Sequence, residues 1–175
     1  MTRARAARRS HRKSKIAMAK IEITDLQDHV RLDKKLILQV VRRVIKEEGR
    51  TARSLSIVLT DNRHIRDLNR EYFGSHTCTD VVSFPLEDLD WPGGQQNGSL
   101  NGEIIASAEL ALEQAKARDI EPQAELLLYL VHGLLHLMGY ADRTAEDARR
   151  MHEREDALLE QFGFGNVYAS RPALQ

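Results

Sequence analysis

Two histidines, His132 and His136, stand four residues apart inside the apolar run Leu126 to Met138. On a helix that spacing puts both imidazoles on one face, about 6 Å apart along the axis, so both can reach one metal ion. Gly139 ends the run and lets the chain turn back. Asp142, six residues after His136, can then supply a third ligand from the turn. Two histidines and one carboxylate with a fourth position open is a pattern of catalytic zinc. A histidine pair at this spacing also occurs by chance in many helices, and a lone histidine among leucines is usually a satisfied core residue. Here, however, burying two unpartnered imidazoles would cost about 1–3 kcal/mol each, and a shared metal offsets that cost. A zinc protease is disfavoured. Such enzymes place a glutamate beside the first histidine as general base, and Gly133 stands there.

The elements that must position these groups follow from periodicity. Ile21 to Ile23 reads as a short strand. Leu32, Leu36, Ile37, Val40, Val41, Val44 and Ile45 recur at helical spacing between an N-cap at Asp33 and a stop at Gly49. Leu55 to Thr60 reads as a strand, and Asp61 caps a short helix ending near Gly74. Strands are expected at 79–84 and 102–107, able to pair as a hairpin across the Gly-rich loop 87–99. Helices follow at about 108–118 and from Pro122 to Met138. A last helix opens at the Thr144 capping box and reaches Gln161, with Met151, Leu158 and Phe162 inward. The order β-α-β-α-β-β-α-α-α predicts an α/β (α+β) domain, a small mixed four-stranded sheet packed with about five helices.

Composition narrows the function. The 175 residues suffice for one core. One cysteine, Cys78, excludes an intrachain disulfide and a Cys-rich metal site, and points to a reducing cytoplasm. Aromatics are 5%, which argues against a base-stacking platform of interleaved rings. The net charge of zero is a cancellation. Residues 1–20 carry eight Lys/Arg and no acid, leaving eighteen basic against 26 acidic side chains in the rest. A basic, disordered tail at 1–20 can attract phosphate, so any nucleic-acid site on the acidic body must be local. Residues 21–165 form the expected domain, and 166–175 a flexible end. No segment reads as membrane-spanning.

Four motifs occur in one order: LNREY (68–72), TDVVSFP (79–85), GEIIAS (102–107) and HGLLHLMGY (132–140). Structural roles alone could explain the first two, since Asn69 can cap, Thr79 and Ser83 can bond the backbone, and Pro85 can end a strand. Together the four resemble the YbeY family, the metal-dependent endoribonucleases and rRNA maturation factors of bacteria, over roughly residues 21–165. The resemblance implies one zinc per chain, held by His132, His136 and the residue at position 142. The family usually has histidine at that third position, where this chain has Asp142. Thr79, Asp80 and Ser83 would line the site. The family also commonly carries an arginine directly after the Tyr of its first motif and a lysine two residues later, positions filled here by Phe73 and Ser75. Arg63, Arg70 and Arg143 are the candidates to take over phosphate contacts. His64, His76 and His152 read as ordinary surface residues. The implied function is a zinc-dependent, single-strand-specific endoribonuclease in small-subunit rRNA 3′-end processing and ribosome quality control. Its partners would be rRNA, the small ribosomal subunit and assembly proteins, and its location the cytoplasm. The alternatives are a non-catalytic, zinc-containing ribosome assembly factor and a zinc hydrolase of small phosphate esters.

Overall fold

The computed structural model describes residues 20–86, 99–165 and 167–168. The expected tail thus lies outside the described residues except for Lys20, as does most of the 87–99 loop. Nine elements follow one another: β1 (Lys20–Asp25), α1 (Lys34–Glu47), β2 (Thr51–Thr60), α2 (Asn62–Phe73), β3 (Val81–Pro85), β4 (Ser99–Ser107), α3 (Ala108–Arg118), α4 (Pro122–Leu137) and α5 (Ala145–Glu160). The sheet order is β1-β2-β4-β3, with β1, β2 and β4 parallel and β3 antiparallel to β4. This is the mixed four-stranded sheet with five helices that the periodicity predicts.

Local chemistry sets the helix starts. The Asp33 carboxylate accepts from the amides of Lys35 and Leu36, and Asp61 accepts from that of His64. Ser107 caps α3 through the Leu110 amide, and Thr144 caps α5 through the Asp147 amide. Each satisfies an amide the first helical turn leaves without a partner. Pro122 opens α4, where its missing N–H costs nothing.

The pleat sorts the sheet into two faces. Ile23, Leu55, Ile57, Leu59, Ile104 and Ala106 share one face and belong to the main core, together with α1, α4 and α5. α4 crosses this face closely. A Cβ on Gly102 would lie 2.9 Å from Leu137, and one on Gly133 would lie 2.9 Å from Val81 Cγ2 and 3.0 Å from Ile104 Cγ2. The alanine side of α3 (Ala108, Ala111, Ala115) is fully buried, and α3 packs along α4. α2 covers the opposite face at its β3 edge, where the Phe84 ring meets Tyr72 at 5.0 Å and Phe73 at 6.0 Å.

Several boundaries differ from expectation. β2 begins at Thr51 and β4 at Ser99, because the polar Thr51–Ser54 stretch pairs with Ser99–Asn101 through the backbone. β3 begins at Val81, since Asp80 is occupied otherwise: its carboxylate accepts from the Val81 amide and its carbonyl from the Ser107 amide. Val167 is buried, and its carbonyl accepts from Arg118. Among the described residues, no helix is long and apolar enough to cross a membrane.

Candidate metal centre

His132 and His136 lie in the last two turns of α4, with their Nε2 atoms 3.0 Å apart. The helix closes at Met138. Gly139 then takes φ +97°, a conformation that costs a glycine little, and the Tyr140 amide bonds back to the Leu135 carbonyl. This reversal carries Asp142 back to the histidines. Its Oδ2 lies 3.5 Å from His136 Nε2 and 3.8 Å from His132 Nε2. Donors about 2.0–2.2 Å from a tetrahedral zinc lie roughly 3.3–3.5 Å from one another. The observed triangle brackets that range.

The other ring nitrogens decide what the Nε2 atoms present. His136 Nδ1 donates to the Tyr140 carbonyl at 3.0 Å, because a carbonyl only accepts. His132 Nδ1 meets the Glu155 carboxylate at 2.7 Å. With both Nδ1 atoms carrying hydrogens, the Nε2 atoms of two neutral rings face each other lone pair to lone pair across 3.0 Å, whereas a protonated His132 donates its Nε2–H to His136. A proton or a metal ion between them relieves that opposition, and Asp142 supplies a compensating negative charge. The donor set therefore fits a metal ion. The side chains of His132, His136 and Asp142 are 17%, 28% and 42% exposed, so the group is open to solvent on the Asp142 side. That openness leaves room for a fourth ligand or a substrate.

A second group, His132, His152 and Glu155, also brings potential ligand atoms together. Its contacts of 2.7 and 2.9 Å are hydrogen-bond lengths, already served by imidazole protons. His152 is not the plain surface residue its sequence position indicates. It is half-buried, with its ring stacked on Tyr168 at 3.4 Å. Glu155, fully buried, is the participant that sequence reasoning missed. Its signal was present: four residues after Met151 and three before Leu158, it occupies the apolar side of α5. His64 and His76 are exposed.

Charge around the site is acidic. Burial pushes the His132 pKa down, but the hydrogen bond and charge of Glu155, with Asp80 and Asp142, outweigh it and hold the imidazolium above its ordinary range. The turn after α4 is tied to two other helices. Tyr140 donates its hydroxyl to Glu48 at 2.9 Å, and Arg154 reaches Glu48 at 2.7 Å and Glu47 at 3.2 Å. Burial and Glu48 together push the Tyr140 hydroxyl pKa up.

The motif residues of α2, β3 and the loop between them have different roles. Asp80 acts electrostatically on His132. Thr79 donates to Asp80 at 3.2 Å. Ser83 pairs with Ile104 and shares the pleat face of Val81, toward α4. Asn69 does not cap its helix: its side-chain amide donates to the Thr77 carbonyl and fixes the loop leading to Asp80. Phe73 is 59% exposed beside Tyr72 and Phe84. Arg70 pairs with Asp67, and Arg63 and Arg143 are exposed.

Fold and site together define an α/β protein in which a pair of histidines able to hold a metal ion closes a buried helix against a mixed sheet. The family model described as Endoribonuclease YbeY matches residues 22–163. The chain is 41% identical to an Endoribonuclease YbeY of Carboxydothermus hydrogenoformans, over 81% of this chain and 96% of that protein. It is 38% identical to one of Sulfurovum, over 77% of this chain and 90% of that protein. The solution structure of TM1509 from Thermotoga maritima, 23% identical, superposes with a TM-score of 0.52 over 90% of this chain and all of that one, which supports the fold. The chain belongs to the Endoribonuclease YbeY family.

Proposed function

We propose that this protein is a zinc-dependent endoribonuclease that cuts single-stranded RNA, acting in 3′-end maturation of small-subunit rRNA and in ribosome quality control. The observation that carries the reading is the pair of Nε2 atoms facing each other at 3.0 Å with Asp142 beside them, in a chain of this family. His132, His136 and Asp142 are the ligands. Zinc, when bound, supplies Lewis acidity toward a phosphoryl oxygen or a water. Glu155 and the Tyr140 carbonyl keep the ring protons on the Nδ1 atoms and off the metal side. Thr79, Asp80 and Ser83 line the approach from β3. Exposed arginines such as Arg143, next to Asp142, hold the RNA backbone, and the basic segment 1–20 adds salt-sensitive affinity. The rRNA, the small subunit and its assembly proteins are the partners, in the cytoplasm.

A second reading, a zinc-containing assembly factor that does not cut, is favoured by one feature of the sequence: Phe73 stands where the family resemblance implies an arginine. The deciding experiment compares RNA cleavage by zinc-loaded wild type and His136→Ala, purified in parallel, on rRNA with an unprocessed 3′ end. Cleavage by the wild type alone is expected. Equal cleavage by both would identify a contaminating nuclease. No cleavage by either, with one zinc bound per wild-type chain, would establish the assembly factor instead.

A further inference from the structure

We infer that Glu155 is the positioning residue of the metal centre, its buried carboxylate holding His132 so that Nε2 faces the ion, and that His152 beneath Tyr168 holds the carboxylate in turn. The inference rests on the reading that this site binds a metal.

A glutamate with no solvent exposure is costly unless its oxygens are bonded. Here the two oxygens divide their work. Oε1 accepts a hydrogen bond from His132 Nδ1 at 2.7 Å, and Oε2 accepts one from His152 Nδ1 at 2.9 Å. Two partners on two oxygens fix the rotation of the carboxylate plane. His152 is itself held, its ring lying within 10° of parallel to Tyr168 at 3.4 Å. Tyr168 is anchored to α5, its amide donating to Asp156 at 2.7 Å. Met151, Leu158 and Leu159 bury the same helix in the core, so the carboxylate is carried on a rigid element. A ligating imidazole whose far nitrogen donates to a carboxylate is fixed in tautomer and direction and is a stronger donor to a metal. The adjacent residue serves the second histidine through two intermediaries. Arg154 holds Glu48, Glu48 holds the Tyr140 hydroxyl, and the Tyr140 carbonyl receives the His136 proton.

The test measures zinc affinity by competition with a chromophoric chelator, and the visible absorption of the Co²⁺-substituted protein, for wild type, Glu155→Gln and His152→Phe. Glutamine keeps the shape but cannot accept from both imidazoles. Phenylalanine keeps the stack on Tyr168 and removes only the hydrogen bond. Glu155→Gln should weaken zinc binding about 10–100-fold and change the Co²⁺ spectrum. His152→Phe should weaken binding less. Unchanged affinity and spectrum in Glu155→Gln would overturn the inference while leaving the metal site standing. A wild type that binds neither ion would overturn the metal reading itself. Nitrogen chemical shifts of the metal-free wild type at pH 8 test the same point without a variant. They should report His132 with its proton on Nδ1, and a proton on Nε2 would refute the positioning role.

Discussion

Gly133→Ala sets two calculable effects against each other. Gly133 is buried in the penultimate turn of α4, directly after His132. Replacing a helical glycine by alanine favours the helix by about 1 kcal/mol. The new methyl would sit 2.9 Å from Val81 Cγ2 and 3.0 Å from Ile104 Cγ2. Both neighbours are β-branched and stiff at χ1, and Ile104 is fully buried, so α4 and the sheet must part by a few tenths of an ångström. Overpacking of this kind costs about 1–3 kcal/mol. The sum is a net loss of about 1 kcal/mol, or a fall in Tm of about 2–4 °C for a chain of this size. The assay is thermal unfolding of the metal-free proteins at one pH, extended to Val81→Ala and to the double variant. Val81→Ala removes the nearer of the two obstructing methyls. The double variant should therefore be more stable than the two single effects predict, by about 0.5 kcal/mol or more. A Gly133→Ala protein stabilised by the full helix propensity, or strict additivity with Val81→Ala, would refute the packing argument.

Asp142→Ala should lower zinc affinity, and Asp142→His should preserve it. Equal metal content in wild type and the alanine variant would remove Asp142 from the ligand set. Zinc affinity should fall as pH is lowered from 8 to 6. The His132 pKa is held above 6.5, so protons compete for the site from above that value downward. For the metal-free protein the same shift has the opposite sign: its stabilising contribution is full below pH 6.5 and is lost as pH rises through the folded-state value. A zinc affinity that is flat across this range would contradict the assignment. Glu125→Ala should destabilise by about 3–5 kcal/mol in urea unfolding, because Arg118 and Glu125 form a buried pair and the arginine would lose its carboxylate. Adding Arg118→Met should recover part of that loss.

What the sequence discloses depends on how local the determinant is. His132, His136 and Asp142 are legible because a helical turn and a glycine reversal bring them together within eleven residues. The helix starts are legible because Asp33, Asp61, Ser107 and Thr144 act on amides two or three positions away. Glu155 lies 23 positions from His132, and their contact exists only once α5 docks. An acidic residue on the apolar side of a helix was the available clue. The starts of β2 and β4 were hidden because polar residues there are held by backbone pairing, which leaves no mark on hydrophobic periodicity. Asn69 was misread as a cap because its carbonyl partner, Thr77, lies in an irregular loop.

Among the described residues the sheet is complete by Ser107, whereas the candidate ligands begin at His132 and their supports lie in α5. A ribosome delivering this chain from its N-terminus releases every strand before the first histidine, and both histidines before Arg154 and Glu155. The partial chain can pair its strands early, yet its histidines lack their supports until α5 arrives. The group formed by His132, His136 and Asp142 is thereby complete only once α5 has docked and brought Glu155 and Arg154 to it.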